Sequence, residues 1–448
     1  MQTELPNELH DYISAILGMR QPYELSPKQH DEGVDELMMN ESDDDSQHRT
    51  LLLFQADSLW NLGESAKSQE IVKSCLEQLS TQRQKQEQEQ SDDNDNMHQS
   101  FAEGLQSLNV GKFTEALISF RQATAACSHS QSLLKAFFTE RAVNIAFWMA
   151  CTGSMLEASK VLEANIQDTP FCGGILAFAH YMSGDSKQAE SIARTAIASG
   201  MDDPWTIHAV AHALTSQGFH EQCANWLILH RPKFEDCNFF MKGHMEFHLA
   251  LSYLYLKDDA KLHALIVNGS LWGTMSEAMK ADYWNAAGLL NVLWKAEIRK
   301  VISNPLKHEE YSNLVKEALE RIDTILFQGD EANVNKSSVF SLCIFRFTEG
   351  AMREKWSKAL LLLPDNSSTS SSTSINNEVL TRVAKAVSIF YHNGDDDNDD
   401  NYDHGSSDSK TETISLILKP ITNKLPKLGA SPEQRETIDD FVQMMIIQ

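Results

Sequence analysis

The stretch Leu108-Asn-Val-Gly111-Lys-Phe113-Thr-Glu-Ala116-Leu-Ile-Ser-Phe120-Arg-Gln-Ala123 decides the fold. Apolar residues recur at three- and four-residue spacing on both sides of one glycine, which predicts a helix, a turn at Gly111 and a second helix. Ala116, Phe120 and Ala123 share one face of that second helix, and Phe113 is placed to plug the crossing of the two. Gly153, Met155, Ala158 and Leu162 repeat the spacing, as do Gly184, Ala189, Ala193 and Ala196. Strand-like alternation is almost absent, so the chain reads as all-α.

Turn glycines are expected at Gly63, Gly111, Gly153, Gly184 and Gly218, the last two intervals being 31 and 34 residues. That spacing is close to the ~34-residue tetratricopeptide period. A single helical hairpin cannot bury its apolar stripe, so such units are expected to stack into a tetratricopeptide-like helical-repeat solenoid.

Working outward, residues 40–49, 80–99, 364–377 and 392–412 are too polar to offset ordering entropy and are expected to be flexible, Ser/Gln-rich or acidic inserts. The resulting organisation is an N-terminal segment 1–50 that is partly disordered, a helical hairpin 51–79, a linker 80–99, and a solenoid 100–363. An insert 364–377, a helix 378–391, an acidic insert 392–412 and a C-terminal helical cap 413–448 complete it. The acidic run 395–403 lacks the central glycine and closing glutamate of a calcium loop.

The whole chain is 448 residues with 38 basic and 63 acidic side chains, a net charge of −25. A polyanion would be repelled, so nucleic acid is not an expected partner. Seven scattered cysteines without a C-x-x-C pair read as reduced thiols. An acidic N-terminus and the lack of a long apolar run predict a cytoplasmic protein without membrane insertion. Neither a glycine-rich phosphate loop nor a G-x-S-x-G elbow is present, so phosphoryl transfer, hydride transfer and serine hydrolysis have no support.

The chemistry concentrates in the histidines. His208, His212, His220, His230, His244, His248 and His263 fall close together in sequence. His208/His212 and His244/His248 have the i,i+4 spacing that puts two imidazoles on one helical face. Gly218 and the Lys257-Asp258-Asp259 turn place both pairs on first helices of neighbouring repeats. First helices pack side by side at roughly 8–10 Å, so the four imidazoles are expected to face one another. Such a set can hold a transition metal such as Zn, Fe or Cu, or serve as acid–base groups in a small-molecule pocket.

Asp203 and Asp282 are candidates to orient an imidazole, and Asp203 is equally suited to cap the helix that follows it. Trp205, Phe247, Tyr283 and Trp284 are candidate pocket walls, with ordinary core packing the plainer alternative. Glu246, two residues from each histidine of its pair, points elsewhere. His180 is expected in the core, and His220 and His263 on second helices.

From about residue 100 onward the chain resembles the family of tetratricopeptide repeat protein 38. The resemblance is carried by Asn144-Ile-Ala-Phe-Trp-Met-Ala-Cys-Thr-Gly153, by Ile175-Leu-Ala-Phe178 through Ala189-Glu-Ser-Ile-Ala-Arg194, and most specifically by Asp203-Pro-Trp205-Thr-Ile-His208-Ala-Val-Ala-His212. Leu428-Gly429-Ala-Ser431-Pro-Glu-Gln434-Arg435-Glu436 is similar to the family's G-G-S-H-A-Q-R-D. It departs at His244-Met-Glu246-Phe247-His248, where the family carries two tryptophans, and at Pro432, where the family carries histidine. The resemblance implies a helical-repeat architecture. Its departures imply a divergent member, an accessory or catalytic component of specialised-metabolite biosynthesis. The alternative expectation is an interaction scaffold whose groove binds a peptide of a protein partner.

Overall fold

The computed structural model describes residues 45–61, 65–85, 93–128, 131–148, 152–165, 171–200, 202–235, 239–268, 281–327, 339–349, 352–354, 356, 372–392, 407–423 and 432–447. Every regular element among them is helical, and none is a strand. The chain divides into two units. The first holds 1–147, 151–217 and 225–242; the second holds 148–150, 218–224 and 243–448.

In the first unit the helices are α1 (Asp45–Asn61), α2 (Ser65–Lys85), α3 (Asp93–Asn109), α4 (Phe113–Ala126), α5 (Ser132–Trp148), α6 (Thr152–Ser159), α7 (Cys172–Met182), α8 (Ser186–Ala198) and α9 (Pro204–Ser216). It also takes the later part of α10 (His220–Phe234). Helix α1 packs on α2, α2 on α3, α3 on α4, α6 on α7, α7 on α8 and α8 on α9, and α7 also packs directly on α9 with α8 between them in sequence. Phe54, Phe101, Phe120, Phe137 and Phe138, each 1% exposed or less, interlock with ring centroids 4.7–6.0 Å apart. Tilted and edge-on rings of this kind add specific geometry to the apolar burial.

The apolar stripes of α4 and α8 are buried: Ala116, Phe120, Ala123, Ala189, Ala193 and Ala196 are each 0% exposed. Gly111, Gly184 and Gly218 have φ of +72°, +90° and +76° in the turns after α3, α7 and α9, a conformation that glycine adopts without penalty. Lys257 takes the same left-handed conformation after α11 (Phe239–Leu256), in the turn assigned to it. Two details differ from expectation. Gly153 is the second residue of α6 rather than a turn residue. Phe113, at 39% exposure, does not plug a crossing, because it is the first residue of α4 and burial begins one turn later at Ala116 and Leu117.

The expected inserts are partly helical. Residues 45–49, 80–85, 93–99, 372–377 and 407–412 lie in α1, α2, α3, α16 (Ser372–Val387) and α17 (Ser407–Leu418). At the first and third of these the reason is polar pairing. Arg49 bonds Asp95 at 3.2 Å and Thr50 bonds His98 at 2.7 Å, all four buried. Residues 40–44, 86–92, 364–371 and 393–406 lie outside the described residues, as does Gly63.

The second unit continues with α11 from Gly243, then α12 (Asp259–Asn268), α13 (Ala281–Ile298), α14 (Glu309–Phe327), α15 (Val339–Phe347), α16, α17 and α18 (Pro432–Ile447). Helix α13 packs on α14, α15 and α18. Residues 286–296 are buried without exception, as expected of a central helix. Cys75, Cys127, Cys172, Cys223 and Cys343 are buried thiols outside any disulfide. Among the described residues no helix is long and apolar enough to cross a membrane.

Candidate functional site

Helix α9 is started by Asp203 and Pro204. The aspartate sits in extended backbone at the N-cap and proline occupies the first turn, where its missing N–H costs nothing. Asp203 Oδ1 accepts from Thr206 N at 2.9 Å. Oδ2 accepts from Thr206 Oγ1 at 2.7 Å and from Phe171 N at 3.2 Å. Burial raises this carboxyl above its ordinary range, and the hydrogen bonds from Thr206 and Phe171 oppose that rise. The carboxylate is therefore committed to backbone and to Thr206. It is the cap of the histidine helix, and it does not orient an imidazole.

The cap fixes the register in which His208 and His212 emerge one turn apart. Both are buried, at 3% and 1% exposure, with ring centroids 4.2 Å apart and nearly perpendicular planes. Phe178 and Tyr181 of α7 close over them: Tyr181 lies 4.5 Å from His212, and Phe178 lies 5.5 Å from His212 and 6.0 Å from His208. Trp205 is half-buried with its ring edge-on to His208 at 5.6 Å. The helices meet this closely because Gly173 and Gly174 begin α7. A Cβ on Gly174 would stand 2.6 Å from Thr206 N, and one on Gly173 would stand 2.5 Å from Ala196 Cβ.

Helix α11 carries the other pair in the second unit. His248 is fully buried and His244 half-buried, their Nε2 atoms 3.3 Å apart. At that distance one ring can donate to the other, or both can ligate one ion through their Nε2 atoms. Phe247 packs on both rings, at 5.8 Å and 5.6 Å. It is held in turn by Gly288 of α13, where a Cβ would stand 3.4 Å from its ring. Glu246 is buried.

Asp282, Tyr283 and Trp284 fall in the first turn of α13, and their side chains lie outside those described. His180 is half-buried at the end of α7 instead of in the core. His220 stacks on Tyr255 with rings 4.1 Å apart and 5° from parallel, and His263 bonds Tyr311. Phe178 and Tyr181 were not singled out as walls by sequence reasoning. Their signal was available in the Gly173-Gly174 start of an apolar helix, where i,i+3 aromatics follow two residues that permit close approach. No family model matches the chain, and no curated protein matches it.

Proposed function

We propose that this chain is a tetratricopeptide-like repeat protein in which His208, His212, His244 and His248 form one binding site for a divalent transition metal, serving small-molecule chemistry in a specialised pathway. The observation that carries the reading is the state of each pair by itself. Two imidazoles one helical turn apart sit in an aromatic surround in both cases, three of the four rings buried and His244 half-buried, with a Nε2-to-Nε2 distance of 3.3 Å in the second pair. A donor set of four imidazoles suits zinc, copper, iron or nickel. The repeat register supports joining the pairs, because α9 and α11 are the helices that precede the left-handed turns at Gly218 and Lys257. The resemblance to tetratricopeptide repeat protein 38 rests on the residues quoted above and supports the architecture.

The peptide-scaffold alternative has less behind it. A groove that captures a carboxylate needs Lys, Arg or Asn on its lining. In the Gly111 hairpin those places hold Phe101 and Leu105, which are 1% and 0% exposed and belong to the core.

The test is metal content by elemental analysis, with zinc titration of the chelator-treated protein. One tight equivalent is expected in the unaltered chain. His208→Ala and His244→Ala are each expected to abolish it, with affinity falling at least about 100-fold when one ligand of a joint site is lost. Retention of a full equivalent in both variants would refute the four-imidazole site.

A further inference from the structure

In the second unit, α12, the turn 301–303 that follows α13 and the start of α14 enclose a cleft of about 530 Å³. Leu262 and Ile302, 1% and 8% exposed, give it an apolar floor. On its wall, His263 Nδ1 lies 2.9 Å from the hydroxyl of Tyr311, and His263 Nε2 lies 3.3 Å from Glu310 Oε2. A carboxylate can only accept, so in a neutral ring the proton sits on Nε2 and Nδ1 accepts the hydrogen bond of the Tyr311 hydroxyl. Tyr311 is 7% exposed. Burial raises its phenol, and the nearby Glu310 and Asp259 charges push in the same direction, so the proton stays on.

This bonding pattern sets the polarity of the cleft. With its O–H donated to His263 Nδ1 in that arrangement, the Tyr311 oxygen has only lone pairs left to offer. His308 Nε2 donates to Ser303 O at 3.0 Å, which in a neutral ring leaves its Nδ1 an acceptor as well. Asp259, Glu309 and Glu310 add carboxylates, and no lysine or arginine is among the described lining residues. Glu309 and Glu310 also stand in the first turn of α14, where the helix dipole favours them without any ligand. The dipole does not account for a buried phenol turned acceptor beside an apolar floor.

We propose that this cleft binds a primary organic ammonium ion with an apolar arm, its N–H groups on the Tyr311 oxygen and the Glu309, Glu310 and Asp259 carboxylates, its arm over Leu262 and Ile302. An ammonium offers three donors and no acceptor, matching a lining of acceptors. A carboxylate ligand would meet three like charges. A neutral acceptor would find few donors.

The test uses the full chain titrated calorimetrically with benzylamine, benzyl alcohol and benzoate at neutral pH and ~0.15 M salt, where long-range attraction to the acidic protein is screened. Benzylamine is expected to bind one-to-one and the other two not at all. Glu309→Gln with Glu310→Gln should weaken it about tenfold or more, and Tyr311→Phe about threefold or more, the range set by charge-assisted and neutral hydrogen bonds. Glu320→Gln, an exposed change on the same helix, and His244→Ala should leave binding unchanged. Equal binding of benzoate or benzyl alcohol, equal weakening by Glu320→Gln, or no benzylamine binding would overturn the proposal. Should Tyr311→Phe fail to fold, the exposed glutamate pair still decides the matter.

Discussion

At Asp203 one carboxylate holds together two backbone N–H groups and a hydroxyl: Thr206 N at the start of α9, Phe171 N, and the Thr206 side chain. Phe171 has φ of +73°, left-handed backbone that a bulky side chain avoids at a cost of about 1–3 kcal/mol. Asp203→Ala is therefore expected to cost more than an ordinary cap, about 2–4 kcal/mol, because it also strands a buried N–H donor. Asp203→Ser, which keeps the cap but cannot reach both donors, should fall between. Urea denaturation of the two variants checks the order, and equal stability of Asp203→Ala and the unaltered chain would refute it. The i,i+4 histidine pairs and the cap were legible in the sequence, since both depend on local spacing. The Phe171 contact was not, because a hydrogen bond spanning 32 residues leaves no trace in local pattern.

At the scale of elements, glycines that look alike in the sequence do different work. Gly184 has φ of +90° and nothing within 4 Å of where a Cβ would sit, so its role is conformational. Gly174 has ordinary helical backbone, and its missing Cβ lets α7 lie against the backbone of residues 205 and 206. Gly184→Ala should cost about 1 kcal/mol, the ordinary left-handed penalty. Gly174→Ala must separate two helices and should cost about 3 kcal/mol or more, with disturbed His208 and His212 resonances. Thermal melts and histidine proton spectra of both variants check this; a Gly174→Ala protein as stable as Gly184→Ala would contradict the packing argument. Helix positions were readable from apolar period. Where composition misled, as at 93–99, the cause was pairing: Asp95 and His98 count as solvated residues in a tally, yet are buried on Arg49 and Thr50.

At the scale of the second unit, distant parts of the sequence are joined through charge. Lys295 sits fully buried in the central helix α13, its Nζ 2.7 Å from Glu436 of α18. Tyr255 of α11 donates to the same carboxylate, Arg299 bridges Glu436 and Asp440, and both Lys295 and Arg299 lie over the Tyr255 ring. Burial lowers the Lys295 ammonium from its ordinary value, which is the expected sign when desolvation outweighs the attraction of Glu436. The sequence shows only a lysine in an apolar helix and a glutamate 141 residues later, so nothing local couples them. Removing one partner leaves the other charge stranded. Glu436→Gln is expected to destabilise by about 2–3 kcal/mol, and Asp440→Asn by less than about 1 kcal/mol, because the partner it deserts, Arg299, keeps solvent and Glu436. The decisive variant is Lys295→Met combined with Glu436→Gln, which removes the stranded ammonium and should recover much of the loss. Amide exchange of α18 in the single and double variants reads that coupling directly. Strictly additive losses would mean that the lysine and glutamate do not form the tie between α13 and α18.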